Sequence, residues 1–326
     1  MTRLPAVVIV LVAPFLGEVL PTATPPLGLL LPWNLALMAA LYGSGALLCR
    51  ELTRRYRLGL PGLCLLAAAY AVYEEALVDR YWFDPHYWQE AGVGSYGRVW
   101  HTNILLASHL TAFHVAVSIG ASIVLVEALF PAYRNQPWVG RPGLALAAAA
   151  LAAVAPITYE EYAHVPRGQL IAATALGAVL VASAFLLRRR PFPPPEHTAA
   201  GRPANASSPL RRPVLPGVIA FACTAAHFVL VYAVPSTGLP WPAGTAVALA
   251  PIAAGVVLLG RGAEALTVVT GILGFFLLLD AAVGLGGRYD LTAGALVMAA
   301  GLWWLVRREG RRRRRPVAAA TGGHGD

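Results

Sequence analysis

Apolar runs recur from one end of this chain to the other, each about long enough to cross a hydrocarbon core of ~30 Å. Lipid offers no partner to a free backbone N–H or C=O, so a spanning segment must be a helix or part of a closed barrel. No alternating barrel pattern is present, and the runs read as helices. Their approximate limits are 4–20, 28–49, 60–79, 102–130, 142–158, 168–187, 214–234, 243–260, 264–284 and 291–306. The first carries one arginine ahead of it and no small-x-small cleavage site behind it, so it reads as a helix and not as a signal peptide. The expected fold is all-α, a polytopic transmembrane helical bundle of about ten spans.

Composition narrows the function classes. Charged residues make up 13% of the 326, against about 25% in a soluble domain. That excludes a soluble enzyme, a nucleic-acid-binding domain and a disordered chain. The net charge of +9 comes from arginine alone, because all 25 basic residues are Arg and no Lys occurs. Schiff-base, Ser–Lys and P-loop lysine chemistry are thereby removed. The three cysteines form no CxxC pair, so neither a disulfide framework nor a zinc ribbon is indicated.

The loop arginines set the expected orientation. With both termini in the cytoplasm, 21 arginines face inward and four, Arg80, Arg98, Arg167 and Arg288, face outward. The expected location is the plasma membrane, the inner membrane of a bacterium, with the lipid bilayer as the principal partner. The organisation divides into an N-terminal six-span bundle carrying the polar site (1–190), a Pro- and Arg-rich flexible cytoplasmic linker (191–213), a C-terminal four-span bundle (214–306) and a basic cytoplasmic tail (307–326). The tail, with Arg311 to Arg315 in a row, reads as a stop-transfer signal or as a binder of anionic lipid headgroups. Nucleic acid is not an expected partner, and oligomeric state is left open.

Polar chemistry concentrates in the N-terminal half. Ten of the 16 acids map to the outer half of the bundle or its outer loops, Glu18, Glu74, Glu75, Asp79 and Asp280 among them. His86, His101 and His164 lie at the same level, with His109 about two turns deeper. Carboxylates and imidazoles at one depth suit a divalent metal such as zinc; a solvated polar rim is the alternative. Glu74 and Glu75 stand out because a charge within a span usually faces a bundle interior or a wet cavity. Glu75 and Asp79, four apart, share a helix face and repel unless a cation or proton lies between them. The alternative is an ion pair of one of the two glutamates, Glu74 or Glu75, with Arg80 or another arginine.

The candidate catalytic residues are therefore Glu74, Glu75 and His114, and the candidate metal ligands Glu75 and His109. His109 and His114 project about 140° apart on one helix, so a single helix cannot aim both at one metal. No HExxH occurs, which removes that metalloprotease motif. His227 reads as an interhelical hydrogen-bond partner. Asp280 and Glu18 are candidates for a proton or ion pathway, although Asp280 could instead cap its helix or pair with Arg288. The aromatic run from Tyr81 to Trp100 fits a membrane-interface belt, or a roof over a pocket for a lipid-like substrate.

Several stretches carry a family resemblance over roughly 14–131. They are Gly17-Glu18-Val19-Leu20, Thr24-Pro25-Pro26, Leu41 through Leu48 (LYGSGALL), Arg50-Glu51-Leu52, Tyr73-Glu74-Glu75, Phe83-Asp84-Pro85, Tyr96-Gly97-Arg98 and Thr111-Ala112-Phe113-His114. On these the chain resembles a family of uncharacterised multi-pass membrane proteins of bacteria and archaea, a resemblance that implies no known activity. A weaker likeness is to the CAAX-type intramembrane proteases, which carry a Glu-Glu pair followed by Arg and then Phe-x-x-x-His. Here Arg80 is one position too far from Glu75 and Phe113-His114 are adjacent, so neither motif fits. The sequence supports three function classes: a membrane-embedded enzyme that uses a metal, a proton- or cation-coupled transporter, and a non-catalytic partner subunit.

Overall fold

The computed structural model describes residues 3–187, 214–260 and 263–314. Most of it is helical, with one small antiparallel ribbon pairing Arg98–Val99 with Thr102–Asn103. Eight helices are long and apolar enough to cross a membrane. We number the apolar helices in chain order. α2 is Pro32–Tyr56, α3 Gly59–Val78, α4 Ile104–Leu129, α6 Arg167–Leu186, α7 Leu215–Ser236, α8 Trp241–Leu259 and α9 Ala265–Leu285. α10 runs from Tyr289 to Arg314. The two remaining runs form shorter helices, α1 (Leu4–Val19) and α5 (Arg141–Ile157). The expected linker (191–213) and the end of the basic tail (315–326) lie outside the described residues.

Burial differs between the parts. In α2, α3 and α4, between 56 and 61% of the most apolar window is inside the protein, against 11% in α6 and 22–33% in α7 to α10. The first three helices are thus the interior of the bundle, and α6 presents most of its surface outward to lipid. One apolar core joins the N- and C-terminal helices: Leu16, Phe113, Val117 and Leu125 pack with Leu266, Leu273 and Phe276. The C-terminal helices therefore back the segment of α4 that carries His114.

Helix regularity fails at four places, and the failures are informative. π-helical turns occupy Phe15–Val19 of α1, Ala39–Gly43 of α2, Tyr73–Val78 of α3 and His114–Ala121 of α4. Each inserts a wider turn, as in the i→i+5 bonds from Leu20 N–H to Phe15 O (3.0 Å) and from Asp79 N–H to Glu74 O (2.8 Å). Such turns cost regular hydrogen bonding and recur at functional sites. Here they hold Glu18, Tyr42, Glu74 with Glu75, and His114.

At the opposite end of the bundle from the 79–103 loop lies a buried ion network. Glu51 accepts from Arg50 at 2.7 Å, from Arg55 at 3.0 Å and from the Trp138 backbone at 2.9 Å. Glu127 accepts from Arg54 at 2.6 Å and from Arg50 at 3.4 Å, and Arg134 lies 3.3 Å away. Arg50 also stacks on Trp138 at 3.8 Å and donates to the carbonyls of Tyr133, Arg134 and Gln136. This network ties α2 to the end of α4 and to the chain that follows it.

Candidate functional site: a buried glutamate–histidine centre

The π turn of α3 brings two consecutive acids into the bundle interior, with Glu74 fully buried and Glu75 4% exposed. His114, at the first position of the π turn of α4, lies between them. Its Nε2 is 2.7 Å from Glu75 Oε1, and its Nδ1 is 3.1 Å from Glu74 Oε2. Ser118 Oγ, one turn further along α4, is 3.0 Å from the same Nδ1. One ligand atom from each of Glu74, Glu75 and His114 can be chosen so that all lie within 4.8 Å of one another.

Two tyrosines enclose the imidazole. The Tyr42 ring stacks on His114 with centroids 6.2 Å apart, and the Tyr70 ring meets it edge-on at 6.0 Å. Both rings occupy space that only glycine leaves: a Cβ at Gly17 would overlap the Tyr42 ring, and one at Gly45 would overlap the Tyr70 ring. Tyr42 donates its hydroxyl to Glu18 Oε1 at 2.8 Å, and Thr24 donates to Glu18 Oε2 at 2.6 Å. Glu18 is therefore linked to His114 through Tyr42, as an outer layer of the same centre.

The centre is short of well-placed donors. Both carboxylate oxygens of Glu74, Glu75 Oε2 and the Tyr70 hydroxyl are buried without a hydrogen bond of good geometry, although His114 Nδ1 lies 3.1 Å from Glu74 Oε2. Carboxylates left this way are strongly disfavoured unless a proton or a cation joins them. No arginine supplies the charge. Arg80, with φ at 60°, turns its guanidinium over the Tyr159 ring at 4.2 Å and toward the carbonyls of Tyr162 and Ala163. The ion pair of Arg80 with Glu74 or Glu75 that the sequence offered as an alternative does not form, because the helix ends at this left-handed residue and redirects the side chain. Beyond the spans, burial first and then Asp79 hold the Tyr162 phenol well above its usual range. It remains a protonated donor beside that acid.

The other expected site residues go elsewhere. His109 belongs to a second histidine pair, its Nδ1 2.9 Å from His227 Nε2, while His227 Nδ1 is 2.8 Å from the Ala248 carbonyl. A carbonyl only accepts, so His227 carries its proton on Nδ1, and in the neutral pair His109 donates from Nδ1. His227 is thus the interhelical partner the sequence suggested, and His109 serves the contact between α4 and α7 instead of the Glu74–Glu75–His114 centre. His109 and His114 thus meet different partners in the structure. Asp280 is 1% exposed, and its Oδ1 has no partner. Arg288 pairs with Asp290 at 3.0 Å, so the alternative Asp280–Arg288 contact is replaced by a local one. His101 stands in the ribbon turn beside Arg98 at 3.0 Å, and the exposed His86 and His164 face Glu90 and Glu160. Among the described residues, Glu74, Glu75 and His114 form the metal-ligand cluster of this kind.

Tyr42, Tyr70 and Ser118 were not singled out from sequence. Tyr42 falls within the LYGSGALL stretch, and Ser118 follows His114 at the i+4 spacing that places two residues on one helix face. Those were the available signals. Tyr70 had none beyond its place one turn before Glu74.

Comparison with curated proteins and with solved structures gave no match. A family model does match, over residues 7–308, far beyond the 14–131 that carried the sequence resemblance. All four π turns and the whole glutamate–histidine centre lie within the matched region, and on that span the chain belongs to an uncharacterized membrane protein family.

Proposed function

We propose that the chain is a membrane-embedded, metal-dependent hydrolytic enzyme, with Glu74, Glu75 and His114 holding a divalent cation such as zinc. The observation that carries this reading is the set of buried, unpartnered carboxylate oxygens converging on one imidazole. Imidazole nitrogen and carboxylate oxygen are both zinc donors, and a catalytic zinc held by three protein ligands keeps a further position open to water or substrate. A bound metal supplies a water acidic enough to act as a nucleophile near neutral pH. The protein's own contribution is placement. Ser118 beside Nδ1 fixes the imidazole orientation, as outer-shell partners do in metal sites. Tyr42 and Tyr70 exclude bulk water from its faces. In the same reading the protein resides in the plasma membrane, with the arginine-rich end of α10 at the anionic headgroups.

A second reading has its own observation. Asp280 is a buried acid without a donor at Oδ1, on a different helix from the centre, as a proton-relay acid in a carrier would be. Metal content separates the two. Detergent-purified wild type is expected to hold about one equivalent of a divalent metal, lost in Glu74→Gln/Glu75→Gln. A well-folded wild type without metal would remove the enzyme reading. Proton- or cation-coupled uptake sensitive to Asp280→Asn would then be the expected result.

A further inference from the structure

Beside the glutamate–histidine centre, on the end of the bundle that carries the 79–103 loop, lies a groove of about 750 Å³. Its walls are the first turns of α4 and α6, and small residues there, among them Ala107, Ala112, Ala172 and Ala173, leave the space open. Trp82 and Phe83 close it on the side of α3. α4 and α6 are both long and apolar enough to cross a membrane, and only 11% of the α6 window is buried in the protein. A groove between two such helices opens toward bilayer hydrocarbon. Thr102 and Gln169 line it together with Trp100, which is 89% exposed, while Ser108 and Thr111 line it further along α4, the Ser108 hydroxyl being spent on the Ile104 carbonyl at 2.7 Å. A mainly apolar channel with a few polar groups and an interfacial tryptophan suits a lipid.

Trp82 connects this groove to the centre. Its backbone N–H donates to Glu75 O at 3.3 Å, and its carbonyl accepts from Asn103 N–H at 2.9 Å. Its indole lines the groove and is 7% exposed, and Nε1 is buried with no acceptor. Buried indole N–H groups ordinarily find a partner. On the opposite flank Thr111, which also lines the groove, sits one turn before His114.

We propose that the groove binds one acyl chain of a bilayer glycerophospholipid. Resting on the enzyme reading above, the inference makes a membrane lipid the substrate class of the Glu74–Glu75–His114 centre, entering sideways between α4 and α6.

The test uses the full chain in nanodiscs of phosphatidylglycerol that contain a trace of the same lipid bearing a diazirine on its acyl chain. After irradiation, labelled peptides are mapped by mass spectrometry. Labelling of 104–112 and 168–176 is expected at several times the level on the exposed Val256 and Val257 of α8. Ala173→Trp fills the groove and should abolish that excess without changing metal content. Ala107→Leu serves the same purpose if the larger side chain does not fold. Even labelling along all lipid-facing helices, or an excess undiminished by Ala173→Trp, overturns the groove. Labelling as expected on a protein that holds no metal would instead overturn the enzyme reading and leave the lipid site standing.

Discussion

The molecule buries two clusters of opposite character, at opposite ends of its most enclosed helices. In the Glu51–Glu127 network each carboxylate meets two or three arginines, and Arg50 adds three backbone carbonyls and the face of Trp138. In the Glu74–Glu75–His114 centre two carboxylates share one imidazole, and three of their four oxygens make no hydrogen bond of good geometry. The first arrangement is finished: removing charges from water is costly, and the cost is offset by dense, well-formed pairing. The second is unfinished, and among the described residues no arginine pairs with it. A satisfied buried network organises a fold, whereas an unsatisfied one must be neutralised, by a proton or by a cation.

Helix geometry shows the same division. The ionic network is built on ordinary α-helix, Ser44–Tyr56 and Ser122–Leu129. The centre is built on π turns in four separate helices. A π turn forfeits regular packing and bonding to re-aim side chains, and four such turns meeting at one point are consistent with function outweighing helix stability there.

The largest expected effect breaks the comparison from its stable side. Arg50→Met leaves Glu51 and Glu127 short of a buried partner and is expected to cost about 3–5 kcal/mol, read as a large drop in the unfolding temperature in detergent. A drop of only a degree or two would mean that the network does not hold the fold. Next comes the response to chelation. Removing a metal held at 100 times its dissociation constant withdraws about 2.7 kcal/mol from the folded state. Chelator should therefore lower the unfolding temperature of wild type and leave Glu74→Gln/Glu75→Gln unmoved. Equal shifts in both proteins would place the metal elsewhere or nowhere.

Much of the frame was legible in the sequence because lipid imposes it. Ten apolar runs became eight long helices and two shorter ones at the expected places, since apolarity and length alone decide such segments. Glu74, Glu75 and His114 were legible as acids and imidazole out of place in apolar runs. Their convergence was not, because an ideal 100° per residue cannot anticipate a π turn at Tyr73–Val78 or at His114–Ala121. The same regular-helix arithmetic parted His109 from His114. It gave no partner for either, since a partner on another helix is a matter of packing. The role of Gly17 was hidden for the same reason: its missing side chain matters only because the Tyr42 ring comes to lie against it.

Gly17→Ala tests that contact and sits third in size. The added methyl collides with the Tyr42 ring, and overpacking of this kind costs about 1–3 kcal/mol. Loss of metal affinity should accompany the loss of stability, because Tyr42 is held by Glu18 on one side and stacks on His114 on the other. Stability lost with affinity intact would show that Tyr42 packs the helices without shaping the centre.

The smallest perturbation is also the sharpest. Ser118→Ala removes one buried hydroxyl 3.0 Å from His114 Nδ1 and changes nothing in the carboxylates. Its stability cost should be about 1 kcal/mol, the ordinary net worth of one hydrogen bond. If the centre holds a metal, the imidazole loses part of what orients it, and affinity should fall by about 10-fold. Competition against a metal-responsive dye reads the affinity, and thermal unfolding after chelation reads the stability of the metal-free protein separately. An affinity that drops while metal-free stability barely moves places Ser118 in the function of the centre. The reverse pattern makes it a helix-packing hydroxyl and shifts the burden of orienting His114 onto Glu74, whose Oε2 lies 3.1 Å from the same nitrogen.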